Sequence, residues 1–579
     1  MEIVVLVRPQ QQLNRYGRYT AEILKAEGLN CFSVQPWFPG QMPALSGAAV
    51  TVLTRCRLQP EEVGFLRDYV QSGGRLVAFA PPAYLYQAFG ARPLNRVAID
   101  GYIKPLLRYR VGRAIGGESI QFHGPAAKVA FPPEFAAKAW LCSPAGELTD
   151  HPAVAIGRIG KGAVCLFTYD LPATVVAIRQ GDPRLAYEAT AGFAADNQCR
   201  PNDLFTGHLD ASRGHIPQAD VHLNLLTEVI EELAPMPLPR LWYYYRPEVK
   251  SVLVMTSDDD WSTVEQFEAL IGAVEENGGH CLFFMVEGTR IPAAKVREWM
   301  SRGHAFSVHT NPRSHEIDPY WHMDESVRRH KRQLEAEYGR PARVYRSHCV
   351  YWQGYVESAR ALAEMGFRMD TSLISLLDHW GLYVNGSGRP MRFADESGEI
   401  IDLFEQPVAF YDDASVQKVL TEEPELEVAR ASFVLQEAAE KYHTPFGFLS
   451  HPVSFATYSS RFVRGVLSSA RRLGVPILNA DEWLEFTLQR DAARLQEICW
   501  RGDELSFTLE RGIPAPALTV SVPVPQGMRV AGVQIAGQPW AHAVTTVHGE
   551  TCAMIPLELP AGAALQTPVA VQFAPGAQG

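Results

Sequence analysis

Residues 251–261 read SVLVMTSDDDW, and residues 303–315 read GHAFSVHTNPRSH. The first opens on an apolar run, Ser251 to Met255, of a length that suits a buried strand. Asp258, Asp259 and Asp260 stand side by side at its C-terminal end. Adjacent acids repel one another, so a fold that gathers them compensates with a cation or uses their charge. In the second stretch the short strand Ala305–Val308 ends on His309, and His315 follows in a Pro-containing loop. One Asp with two His is a common ligand set for a single zinc-type ion that keeps positions open to water. Together the two stretches imply a metal-dependent hydrolase.

Around them, residues 247–495 alternate short strands with helical patterns. Strands are expected at Val252–Thr256, Cys281–Val286, Ala305–Val308, Val344–Arg346, Phe367–Asp370, Ile400–Leu403, Phe446–Ser450 and Pro476–Leu478. Helical patterns run over Val264–Glu276, Ala294–Ser301, Asp324–Tyr338, Tyr355–Met365 and Glu427–Lys441. Strand–helix units in this number predict a barrel whose chemistry gathers at the C-terminal ends of its strands. Asp258, His309, Arg346 and His451 all stand at such ends. The strands follow from apolar pattern alone, so the convergence is informative. Trp261-Ser262-Thr263 also precede a helix, which leaves Asp260 open to reading as a helix cap.

The ordered set TSDDD, GHAFSVHTNPRSH, GRPARVYRSH, EMGFRMDTSL and FGFLSHP resembles the polysaccharide deacetylases, that is, the NodB-homology domain of carbohydrate esterase family four. The resemblance covers about 250 residues and implies a distorted (β/α)7 barrel. The family's T-F-D-D motif falls on Thr256-Ser257-Asp258-Asp259, which implies Asp258 as general base and Asp259 as metal ligand. Its H-T-x-x-H motif falls on His309-Thr310, its Arg motif on Arg346 and its Leu-x-His motif on Leu449-Ser450-His451. The implied metal set is Asp259, His309 and His315, holding one divalent ion: zinc first, with cobalt, nickel or manganese as alternatives. On this pattern Arg346 pairs with Asp258, and His451 protonates the leaving group.

Four departures stand out. The family's second His belongs four residues after His309, where this chain has Arg313; His315 lies beyond it, with His304, His322 and His348 as further imidazoles. Ser257 replaces an aromatic residue, and Asp260 offers a rival register for base and ligand. Arg346-Ser347-His348 stands where the family has Arg-x-Pro, so the pocket rim differs.

Residues 1–235 read as a doubly wound α/β domain. Glu2–Val7, Val50–Leu53 and Arg75–Ala80 are strands, separated by the helical patterns Arg18–Glu27 and Pro60–Gln71. The stretch YVQSGGRLVAFAPP resembles the class I glutamine amidotransferase-like fold, including accessory domains of that shape in some glycosidases. No catalytic residue is expected there: Cys56 lacks the small neighbours of a nucleophile elbow. GRIGKGAVCLFTYD reads as a β-turn between two strands, since no helix follows its glycines. The run APMPLPR is the linker signal, and Trp242 to Tyr245 read as packing at a junction. A domain of 240–495 follows. From 499 to 579 alternation with Gly/Pro turns predicts a small antiparallel β-sandwich, with Trp540 the aromatic to watch for sugar contact. The fold class is therefore multidomain α/β.

The chain has 579 residues, 53 Lys+Arg and 64 Asp+Glu, a net charge of -11 that argues against nucleic acid as a partner. Its basic cluster, Arg328, Arg329, Lys331 and Arg332, lies on a helical pattern and reads as a solvated face. Nine scattered cysteines without a CxxC suit a reducing compartment. No apolar run is long enough for a signal or a membrane span, so a soluble cytoplasmic protein is expected, free to form oligomers. The expected activity is deacylation of an N- or O-acetylated sugar or a related small amide. The alternatives are a carbohydrate-binding or scaffold protein with a degenerate barrel, and a glycoside hydrolase.

Overall fold

A computed structural model describes residues 1–188, 199–310, 323–352, 354–374, 383, 385–513, 517–547, 549–558 and 565–576. It is a mixed α/β molecule of several sheets. The N-terminal sheet has nine strands: β1 (Glu2–Val7), β2 (Phe32–Pro36), β3 (Ala48–Leu53), β4 (Arg75–Phe79), β5 (Arg92–Pro105), β6 (Ile120–Ala130), β7 (Phe135–Cys142), β8 (Leu148–Ile159) and β9 (Gly162–Phe167). Their order is β2-β1-β3-β4-β9-β8-β7-β5-β6. The half from β2 to β9 is parallel, as the strand–helix alternation implies, and the other half is antiparallel. Gly160 and Lys161 form the turn between β8 and β9, and Gly160 takes φ +58°, where a side chain would be strained.

A connector follows the N-terminal sheet and contributes β10 (Arg240–Leu241). The central stretch builds a parallel sheet in the order β13-β12-β11-β19-β18, from β11 (Leu253–Asp258), β12 (Leu282–Val286), β13 (Ala305–His309), β18 (Phe410–Tyr411) and β19 (Phe446–Ser450). β20 (Ile477–Asn479) also pairs with β11. A second sheet, β14-β15-β17-β16, holds β14 (Val344–Tyr345), β15 (Met369–Asp370), β16 (Met391–Ala394) and β17 (Ile400–Glu405). β11, β12 and β19 are buried along their whole length, which is why they read as continuous apolar runs. The Ser307 hydroxyl donates to the Val344 carbonyl and ties the two sheets together. Among the described residues no hydrogen-bonded ring closes; the strands expected to form a barrel fall in two sheets, the second of them mixed because β16 runs antiparallel to β17.

The C-terminal stretch forms two antiparallel sheets, β10-β23-β27-β26 and β21-β22-β28-β24-β25. Their strands are β21 (Arg494–Arg501), β22 (Glu504–Glu510), β23 (Leu518–Pro523), β24 (Met528–Ile535), β25 (Gln538–Pro539), β26 (Ala543–Val547), β27 (Glu550–Leu557) and β28 (Gln566–Pro575). One buried apolar cluster includes Val5, Leu226, Trp483 and Val520, so a single core runs through all three stretches. Trp242, Tyr243 and Tyr244 are buried in it. Among the described residues no helix is long and apolar enough to cross a membrane.

The stretches are also joined by buried charge. Arg389 pairs with Glu27, lies 4.2 Å over the Tyr243 ring and donates to the Tyr442 carbonyl at 3.0 Å. Glu27 also accepts from Tyr243 at 3.0 Å and Arg240 at 3.2 Å. Breaking a buried pair strands the remaining charge, so Arg389→Ala is expected to cost about 3 kcal/mol, the low end because Arg240 stays. Denaturant unfolding would measure it, and a loss under about 1 kcal/mol would make the pair no stronger than a surface bridge.

Candidate active site

β11 delivers the three acids to the C-terminal edge of the central sheet. Successive side chains of an extended chain face opposite ways, and that separates them. Asp258 and Asp260 face His309, whereas Asp259 turns toward β12. There its backbone N–H donates to Phe284 and its carboxylate accepts the Val286 N–H at 3.3 Å. Burial raises the Asp259 carboxyl to about 6. The helix Val264–Glu276 that follows is capped by Thr263, reciprocally bonded with Gln266, so Asp260 does not serve as its cap.

Asp258 is 4% exposed, and Oδ1 accepts from the Arg346 guanidinium at 3.1 Å. Arg346 is wholly buried beyond β14; it also donates to the Thr256 hydroxyl at 2.9 Å and lies over the Phe284 ring at 4.8 Å. Burial pushes the Asp258 carboxyl up, and Arg346 opposes that shift. The pairing aims the second oxygen, Oδ2, at His309 Nε2, 3.4 Å away.

His309 ends β13, and its Nδ1 lies 3.1 Å from the Arg346 carbonyl. A ring donating there carries its proton on Nδ1 and turns the Nε2 lone pair to the site. Burial holds this imidazole's pKa well below its ordinary value, hence neutral. Asp260, His309 and His348 each offer a ligand atom, and these atoms lie within 4.8 Å of one another. Asp260 Oδ1 is 3.6 Å from His309 Nε2 and 3.8 Å from His348 Nε2, and it is buried without a hydrogen-bond partner among the described residues. Those gaps exceed a hydrogen bond, yet suit donors sharing one cation at about 2.0–2.2 Å each. The donor set thus fits a divalent ion.

Backbone strain brackets the set. Asp260 and Trp261 take φ of 43° and 55°, and Cys349 and Val350 take 52° and 49°. Non-glycine residues hold this left-handed conformation only where the surroundings impose it. Trp261 packs edge-on to His348 at the rim.

His451 follows β19, with Nε2 3.8 Å from Asp260 Oδ2 and 4.0 Å from Asp258 Oδ2. Its Nδ1 lies 2.8 Å from Asp412, a buried carboxylate just past β18 that also accepts from Ser450 and Ser459 at 2.9 and 2.6 Å. Asp412 is absent from the set derived from the motifs. The available sign was its place directly after the aromatic pair Phe410-Tyr411, which pairs in parallel with β19. Burial disfavours the charged His451 ring, but Asp412, with Asp258 and Asp260, outweighs it and raises the ring to about 10. The imidazolium is then a standing proton donor at neutral pH. Asp412→Asn removes the largest of these supports, so the alkaline limb of a kcat/KM–pH profile is expected to move to lower pH. A limb that stays in place would assign the donated proton to another group.

Of the six residues taken from the motifs, Asp258, His309, Arg346 and His451 meet in one buried cluster, while Asp259 faces β12. His315 and His322 lie outside the described residues. His304 is occupied elsewhere, accepting the Cys281 N–H and meeting Glu275. His348 and Asp260, the reserve imidazole and the rival acid, are the residues that gather with His309.

No family model and no curated protein matches the chain. Its neighbours among solved structures include deacetylases at low identity. Agd3, described as a novel carbohydrate deacetylase, is 11% identical with a TM-score of 0.44, over 99% of this chain and 98% of that one. The polysaccharide deacetylase Bc1974 from Bacillus cereus is 14% identical with a TM-score of 0.27, over 40% of this chain and 91% of that one. A β-galactosidase from Bacillus circulans sp. alkalophilus is 12% identical with a TM-score of 0.24, over 30% of each chain. At these values the likenesses carry no weight for the chemistry, which rests on the residue cluster itself.

Proposed function

We propose that the protein is a metal-dependent hydrolase that removes an acyl group from an N- or O-acetylated sugar or a related small amide. The observation that carries this reading is the buried Asp258, held between Arg346 and His309 beside the Asp260–His309–His348 donor set. Those three residues would hold the ion. When bound, a divalent ion supplies a Lewis acid that acidifies water and polarises a carbonyl oxygen. Asp258, whose charged form Arg346 favours against burial, accepts the proton of the attacking water at Oδ2. His451, charged through Asp412, delivers a proton to the departing amine or alcohol. Trp261, more than a third exposed at the rim, offers an apolar face to a sugar ring.

On this reading the two central sheets are the halves of a distorted (β/α)7 barrel, and the N- and C-terminal stretches are accessory domains. The test is acetate release from a panel of acetylated saccharides and small amides, before and after chelation and again on adding zinc, cobalt, nickel or manganese. Release lost with the metal and restored by it supports the proposal. Release of reducing sugar without acetate would favour glycosidic cleavage, and protein that binds no metal would favour the non-catalytic alternative.

A further inference from the structure

The N-terminal sheet carries a cavity of different character. β1 lies between β2 and β3, both parallel to it, so the chain leaves β1 for one neighbour and later returns to the other side. Connections that part in opposite directions open a crevice beyond the carboxyl ends of the strands, and open α/β sheets bind ligands there. A cavity of about 320 Å³ lies at this place. Its lining includes Arg15 after β1, Arg55 after β3, Asp170 after β9, and His123 with His208. The two loops are fixed before any ligand arrives: buried Asn14 donates to the Thr54 hydroxyl at 2.6 Å and the Arg55 carbonyl at 2.7 Å, and accepts the Arg8 N–H at 2.8 Å. Gly17 permits that clamp, since a Cβ there would sit 2.4 Å from Asn14 Oδ1.

The polar groups in this pocket are under-used. Arg55 approaches Asp170, the one acid among the lining residues, no closer than 3.9 Å. Arg15 donates only weakly, to the Glu396 carbonyl at 3.4 Å, and stacks on Tyr16. The His123 side chain is 9% exposed; its Nδ1 lies 3.9 Å from Asp100, and its Nε2 has no hydrogen-bond partner among the described residues. It stacks on His208 at 4.0 Å, whose own Nε2 is spent on the Ala177 carbonyl. Arg15 and Arg55 line the cavity together with Asp170, Asp100 stands beside His123, and a buried ring nitrogen left without a partner costs free energy unless something bonds it. We infer that this cavity binds a small oxyanion, the carboxylate or phosphate group of a low-molecular-weight compound, between Arg15, Arg55 and His123. The site is independent of the proposed hydrolytic centre.

Calorimetric titration of the full chain with inorganic phosphate and, separately, with malonate tests this and tells the two sources apart. Saturable binding of one of them is expected, weakened roughly tenfold or more by Arg55→Ala or Arg15→Ala and unchanged by His309→Ala. Arg55→Lys keeps the charge but not the fork, and should fall between wild type and Arg55→Ala, which also covers the case in which the alanine variant fails to fold. Failure of both anions to saturate, equal affinity in wild type and the arginine variants, or loss on His309→Ala instead would each overturn the inference.

Discussion

Asp258→Asn is expected to lower kcat for acyl hydrolysis by about 10²–10⁴-fold, the range a positioned general base contributes. Asparagine keeps the shape and still accepts from Arg346 at Oδ1, but it offers no carboxylate to the water. Bound metal should be unchanged, because the donor set of Asp260, His309 and His348 does not include this residue. The measurement pairs acetate release with elemental analysis of the same preparation. Near-normal turnover in a variant that keeps its metal would remove Asp258 from the mechanism. Loss of metal together with activity would make it a ligand instead.

His348→Ala and Asp260→Ala are each expected to weaken metal binding by more than about 100-fold, beyond the 10–100-fold of outer-shell changes. Asp259→Ala should stay within that smaller range, because its carboxylate faces the Val286 N–H. Competition against a metal-binding dye gives the three affinities directly. The reverse ranking, with Asp259 dominant and His348 silent, would restore the register implied by the motif pattern and move the centre toward β12.

That register shows where sequence reading ends. The strand Phe446–Ser450 and the helices Val264–Glu276 and Pro60–Gln71 fall where the pattern puts them, because continuous burial and sharp caps leave direct traces in composition. Three acids in a row carry no such trace. Which of them turns inward depends on the pleat, and on the left-handed turn at Asp260 and Trp261, which no local preference announces. Asp412 and His348 follow strands of only two residues, too short for any periodicity.

The antiparallel half of the N-terminal sheet is obscure for another reason. β5 is almost entirely exposed or half-buried and its register shifts twice along β6, so its alternation breaks, while Gly124-Pro125 interrupts β6 in turn. A doubly wound parallel sheet was the natural reading of the legible half alone.

The dipeptide β10 has a bearing on how the molecule comes apart. Leu241 N–H donates to the Gly28 carbonyl at 2.9 Å, Arg240 and Leu241 pair with β23, and Arg490 reaches back to the carbonyls of Leu241 and Trp242. One short bracket therefore clasps chain from the beginning, the middle and the end at once. A cut just after it would leave β23 with a bare edge able to recruit strangers, so expressing the chain without everything up to β10 invites aggregation. Heating should melt the whole chain in one step rather than three.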